Sequence, residues 1–146
     1  MKSARLLLPF VHGMNIEALE QAILLAKDSK ATLVPASIIR LTKNQQGSGP
    51  RLEDVEQSQD FLEAIHYRVQ KNNLPIEQVE VVTSDIAQCI DTLVRKLECD
   101  GIMFFMRGKD ALLLDSDDMR RVMQTAPGRF YLFHLEPRSH VSLNIC

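Results

Sequence analysis

Residues 99–110 read CDGIMFFMRGKD. The row Ile102 to Met106 is apolar without a break, and the polar set Arg107-Gly108-Lys109-Asp110 ends it. Such a row reads as a strand covered on both faces, which is the habit of parallel sheets. Just upstream, residues 84–101 (SDIAQCIDTLVRKLECDG) place Ile86, Cys89, Ile90, Leu93, Val94 and Leu97 on one face of a helix, with Ser84 or Asp85 as its cap. Residues 76–83 (IEQVEVVT) alternate as a strand before it. A strand, a helix and a buried strand in succession make a right-handed crossover unit.

The rest of the chain repeats that unit. Arg5 to Val11 is a first strand, followed by a helix with Ile16, Leu19, Ile23 and Ala26 inward and Asn15 as cap. Residues 31–41 (ATLVPASIIRL) form a second strand, and the polar stretch 42–50 (TKNQQGSGP) a loop. From Arg51 to about Asn73 the positions Leu52, Val55, Leu62, Ile65 and Val69 mark a long amphipathic helix, which Pro75 stops. A last helix runs from about Asp117 to Thr125 with Met119, Val122, Met123 and Ala126 inward, and residues 129–135 (RFYLFHL) form a fifth strand. The expected fold is an α/β open sheet of five parallel strands, order 3-2-1-4-5, with helices on both faces in three layers. In such folds ligands bind beyond the C-terminal strand ends, where strand order reverses. The loops that meet there are residues 11–15 (VHGMN) and 106–110 (MRGKD).

Composition sets the outer limits. With 146 residues, 45% apolar, 25% charged and a net charge of −2, the chain has the make-up of one globular domain, expected over 1–137 with an extension at 138–146. In that extension Val141, Leu143 and Ile145 alternate. No Lys/Arg stripe with interleaved aromatics suggests a nucleic-acid partner, and no run reaches the roughly 20 apolar residues of a membrane span. The opening MKSARLLLPFV is broken by Pro9 and reads as a strand, not a signal segment. Cys89, Cys99 and Cys146 form no zinc-type or paired spacing, so a reducing cytoplasm is the expected location.

Three phrases in this order, LLLPFVHG with the helix and strand after it, CDGIMFFMRG, and RRVMQTAPGRFYLFHL, resemble the universal stress protein family over residues 4 to 136. The resemblance implies an adenine-nucleotide-binding type of α/β fold. It also implies two-fold dimers through the last strand, here Phe130, Tyr131, Leu132 and Phe133. Nucleotide-binding members carry, after the fourth strand, two glycines separated by two residues, a third after nine more, and then Ser or Thr. Here the loop is shorter and Gly108 is kept, the first glycine is absent or replaced by Met106, and the third's place falls near Asp115 or Ser116, followed by Asp117. In the turn after the first strand the family's Asp is replaced by His12, while Gly13 is retained.

Backbone amides freed by glycines beside a helix N-terminus are what a polyphosphate needs. Asp110, Asp115, Asp117 and Asp118 crowd that place with negative charge against Arg107 and Lys109. The expectation is a homodimeric stress-response or regulatory module without catalysis or cofactor, and with an unidentified protein partner. The alternative is an ATP binder, with Mg, in which Val11, His12 and Gly13 meet the base while Met106, Arg107, Gly108, Lys109 and Ser116 meet the phosphates. The aspartates read as helix caps before they read as a metal site. His66 reads as a surface residue, and no histidine can be placed beside Cys89 or Cys99 as a catalytic base.

Overall fold

The computed structural model describes residues 3–42, 47 and 49–136. Along them run β1 (Arg5–Phe10), α1 (Ile16–Asp28), β2 (Thr32–Arg40), α2 (Leu52–Asn72), β3 (Val79–Thr83), α3 (Ile86–Lys96), β4 (Gly101–Arg107), β5 (Asp110–Leu112), α4 (Ser116–Thr125) and β6 (Arg129–Leu135). The extension 138–146 and most of the loop expected at 42–50 lie outside the described residues.

Five of the strands are parallel in the order β3-β2-β1-β4-β6, with β6 in the place expected of the fifth strand. The sixth, β5, was expected as loop; it turns back antiparallel on the end of β4. Successive strand residues point to opposite faces, and both faces are covered. Leu6, Leu8 and Phe10 pack with α1 and α2, whereas Leu7 packs with α3 and α4. This is why the strands read as solid apolar runs.

The helices start where capping chemistry allows. Asn15 accepts a hydrogen bond from the Ala18 amide at 3.0 Å, and Asp85, not Ser84, accepts from the Gln88 amide at 3.2 Å. Their inward faces differ from the sequence expectation in detail. In α1 the buried residues are Ala18, Leu19, Ala22, Ile23 and Ala26, with Ile16 exposed. In α2 they are Ser58, Phe61, Ile65 and Val69, with Leu52 at the exposed N-terminal end. Met123 in α4 is also exposed.

A proline interrupts each of two ladders in the sheet. The β2–β3 register aligns Leu33 with Ile76 and Ala36 with Val79, yet pairing lapses between them, opposite Pro35, which has no N–H to donate. Pro9 acts in the same way between β1 and β4, and there the consequence reaches the candidate site.

Candidate functional site

Arg5 of β1 gives its carbonyl to the Asp100 amide, so by strand alternation Leu7 and residue 9 also face β4. Pairing runs through Leu6–Gly101 and Leu7–Ile102 and stops, since Pro9 has no donor for the next bond. A crevice therefore opens between the C-terminal halves of β1 and β4. This is the reversal point at which open α/β sheets hold their ligands.

The protein's own chain fills it. After Arg107 the backbone turns through Gly108 and Lys109 and returns as β5, pairing Arg107 with Asp110, Met106 with Ala111 and Phe105 with Leu112. Gly108 has φ +62° and Lys109 a negative φ, the sign pattern of a II′ hairpin turn with glycine at its first central position. The space beside Gly108 is open, so backbone conformation and not crowding is what asks for glycine. Beyond β5 the Leu113 carbonyl accepts from the amides of Val11 at 2.7 Å and His12 at 3.1 Å. The Leu113 and Leu114 side chains are 2% and 1% exposed, one in each core. The amides of Val11 and His12 are thus spent on the segment that follows the hairpin.

Three of the remaining predicted residues are engaged within the protein. Arg107 pairs with Glu17 of α1 at 2.7 Å and donates from Nε to the Glu136 carbonyl at 3.3 Å. Met106 packs partly against the core on the α3 and α4 face. Ser116 Oγ accepts from the Ala111 amide at 3.3 Å. Gly13 and Lys109 are exposed.

What stays open is a neighbouring cleft of about 370 Å³ at the ends of β1 and β2. Val11 and His12 reach it, and none of the hairpin residues 106–109 does. Sequence reasoning missed its other walls, Arg40, Thr42, Arg51 and Asp54. A signal was present: Arg40 is the first charge after the apolar run of β2, at the strand end where sites form. The charged groups of this cleft are tied to one another or to α4. His12 Nε2 and Asp115 Oδ1 are 2.7 Å apart, Arg51 Nε lies 3.3 Å from Asp54, and Arg40 pairs with Asp118. The hydrogen bond to Asp54 raises the Arg51 guanidinium further above its ordinary value. Asp118, 6% exposed, sits in the first turn of α4, where the helix dipole favours a carboxylate.

Burial pushes the Cys99 thiol up to about 11, against the opposing charge of Arg5, away from the thiolate that nucleophilic chemistry uses. Burial, with Asp85 adding to it, raises the Cys89 thiol as well. Among the described residues no three His, Cys, Asp or Glu side chains converge as a metal site, and no helix is long and apolar enough to cross a membrane.

No family model matches the sequence, and no curated protein matches it. Solved structures do. A universal stress protein from Archaeoglobus fulgidus aligns with a TM-score of 0.69 at 14% identity, over 90% of this chain and 94% of that one. A protein of the universal stress protein family from Burkholderia pseudomallei gives 0.67 at 18%, over 89% and 95%. The universal stress protein from Archaeoglobus fulgidus in complex with dAMP gives 0.68 at 12%, over 90% and 98%. The chain has the universal stress protein fold.

Proposed function

We propose that this protein is a regulatory module of the stress-response kind that works without ATP and without catalysis, as a cytoplasmic homodimer. The observation that carries the reading is the β4–β5 hairpin with the turn after it, whose Leu113 carbonyl takes the Val11 and His12 amides in the crevice at the strand-order reversal, where a fold of this kind would be expected to hold a nucleotide. Displacing it would expose two buried leucines and strand two backbone donors. Each unpaired buried donor alone costs on the order of 1–3 kcal/mol.

A second reading has one observation in its favour. The cleft beside Val11 and His12 is large enough for a nucleoside, and a structure of the same fold is in complex with dAMP. A titration with ATP, with and without magnesium, followed by thermal melting, separates the two. The expected result is no change at millimolar ATP. Ligand at about 100 times its dissociation constant would add roughly 2.7 kcal/mol, and the resulting rise of several degrees would overturn the proposal.

The dimer is proposed through β6. That strand pairs with β4 on one side, and no other strand among the described residues pairs with it. It carries Phe130, Tyr131 and Phe133 half-buried and Leu132 39% exposed, an apolar edge of the kind that recruits a second strand. Sedimentation should give a dimer that Leu132→Lys converts to a monomer. A monomeric unaltered protein at high micromolar concentration would sink this part of the reading.

A further inference from the structure

The sheet has a second edge, β3, and it is built differently. Leu33 donates to the Pro75 carbonyl and accepts from the Glu77 amide, and Leu41 donates to the Thr83 carbonyl. Odd-numbered residues of this segment therefore face β2. By alternation, Glu80 and Val82 turn their N–H and C=O groups outward, and among the described residues no strand pairs with them. Edges of this kind are commonly guarded by an exposed charge. Here the one charged side chain of the strand, Glu80, is exposed but lies on the α2 side, where it accepts from Ser58, so it leaves the α3 side of the edge without a charge from the strand. Val82 stands 48% exposed.

The other side of the edge is a groove. Val79 and Val81 lean on the core shared with α3, and between β3 and α3 lies a hollow of about 300 Å³ floored by Val81, Cys89 and Leu93. Thr92 and Lys96 form part of its helix wall. Because α3 returns antiparallel to β3, Lys96 lies at the level where β3 begins, and it also borders a hollow lined by Glu77 and Glu98. Glu77 is held by Arg5, whereas Lys96 has no ion-pair partner among the described residues.

We infer that the outer edge of β3, with the β3–α3 groove, is a strand-addition site for an extended partner peptide that is apolar at alternate positions and carboxylate-bearing at its end. The backbone groups of Glu80 and Val82 specify an extended main chain. The groove takes every second side chain of the added strand, since alternate residues fall on the α3 face. An antiparallel peptide, the better-paired orientation, runs from Thr83 toward Val79 and brings its C-terminal end beside Lys96. The site lies across the sheet from β6 and does not depend on the proposed dimer or on the fate of the nucleotide reading.

The test uses the full chain, labelled with nitrogen-15, and an acetylated hexapeptide of alternating serine and valine with a free carboxylate. Addition should shift the amides of Glu80 and Val82 and those along residues 88–96. Capping the peptide as an amide should weaken binding about threefold, the size of one exposed ion pair, and Lys96→Gln should abolish that difference. Val82→Pro removes an outward donor but no bond to β2, so it should abolish binding while the fold persists. If that variant fails to fold, the peptide N-methylated on its β3-facing residues serves instead and should not bind. Unshifted β3 amides at millimolar peptide, or shifts confined to β6, would overturn the inference. So would binding unchanged by both Val82→Pro and N-methylation. Protection of the Glu80 and Val82 amides in the peptide-free protein would also overturn it, because a second copy or another segment of this chain would then hold the edge.

Discussion

Leu113→Ala is expected to destabilise the protein by about 3 kcal/mol and to lower its melting temperature by on the order of 10 °C. The side chain is 2% exposed and belongs to the core shared with α1 and α2, so its removal leaves a cavity that the surrounding strands close only in part. The more informative readout is local. The Leu113 carbonyl holds the Val11 and His12 amides, and the leucine side chain is what anchors that carbonyl in the crevice. Hydrogen exchange at Val11 and His12 should therefore accelerate more than at Leu8, deeper in the same strand. Equal acceleration at all three would mean that the hairpin opens only with global unfolding.

The backbone at Leu113 sharpens the point. Its φ of +75° lies in the region that L-residues other than Asn and Asp rarely adopt. Such strain persists where surrounding contacts over-determine it, and here two accepted hydrogen bonds and a buried side chain do so. Alanine at this position keeps the strained conformation and loses the packing that supports it.

How far this was legible in the sequence differs between fold and site. The parallel order could be read because β1, β2 and β4 are buried on both faces, and solid apolar runs between helical periods admit few other arrangements. The plug could not be read in the same way. Its strand, Asp110–Leu112, is three residues long, too short to show alternation, and the aspartates that follow it drew the eye to helix capping. The local signal was Gly108-Lys109 followed by DALLL, a two-residue turn of Gly-X type before a largely apolar return. Read as a turn, it predicts a hairpin; read beside a helix N-terminus, it resembles a phosphate loop. Pro9 decides between the two only when its missing N–H is traced to the β4 side, which requires the register. Arg40, Arg51 and Asp54 escaped for a related reason: two follow a loop and one ends a strand, and only the fold brings them into one cleft with His12.

Phe61→Ala should have the largest effect of any substitution considered, about 3–5 kcal/mol, while Leu52→Ala should change stability by no more than about 0.5 kcal/mol. Both residues lie on α2, and the apolar rhythm of the sequence favoured Leu52, which is 71% exposed. Rhythm alone does not fix the phase of a long helix whose mean character is polar, since several stripes of moderate apolarity compete. The phase is set by what the sheet presents. Phe10, at the end of β1, offers a ring that Phe61 meets with centroids 4.3 Å apart and planes within 4°. One turn earlier, the buried Ser58 is satisfied by the Ser37 hydroxyl at 2.6 Å and by Glu80, so a polar residue occupies the same face without penalty. Truncating Phe61 leaves Phe10 facing a void at the strand end beside which the β1–β4 crevice opens. Chemical denaturation of both variants checks the phase. A loss at Leu52 comparable to that at Phe61 would mean that α2 is turned on its axis, and the Ser37–Ser58–Glu80 chain would then have to break.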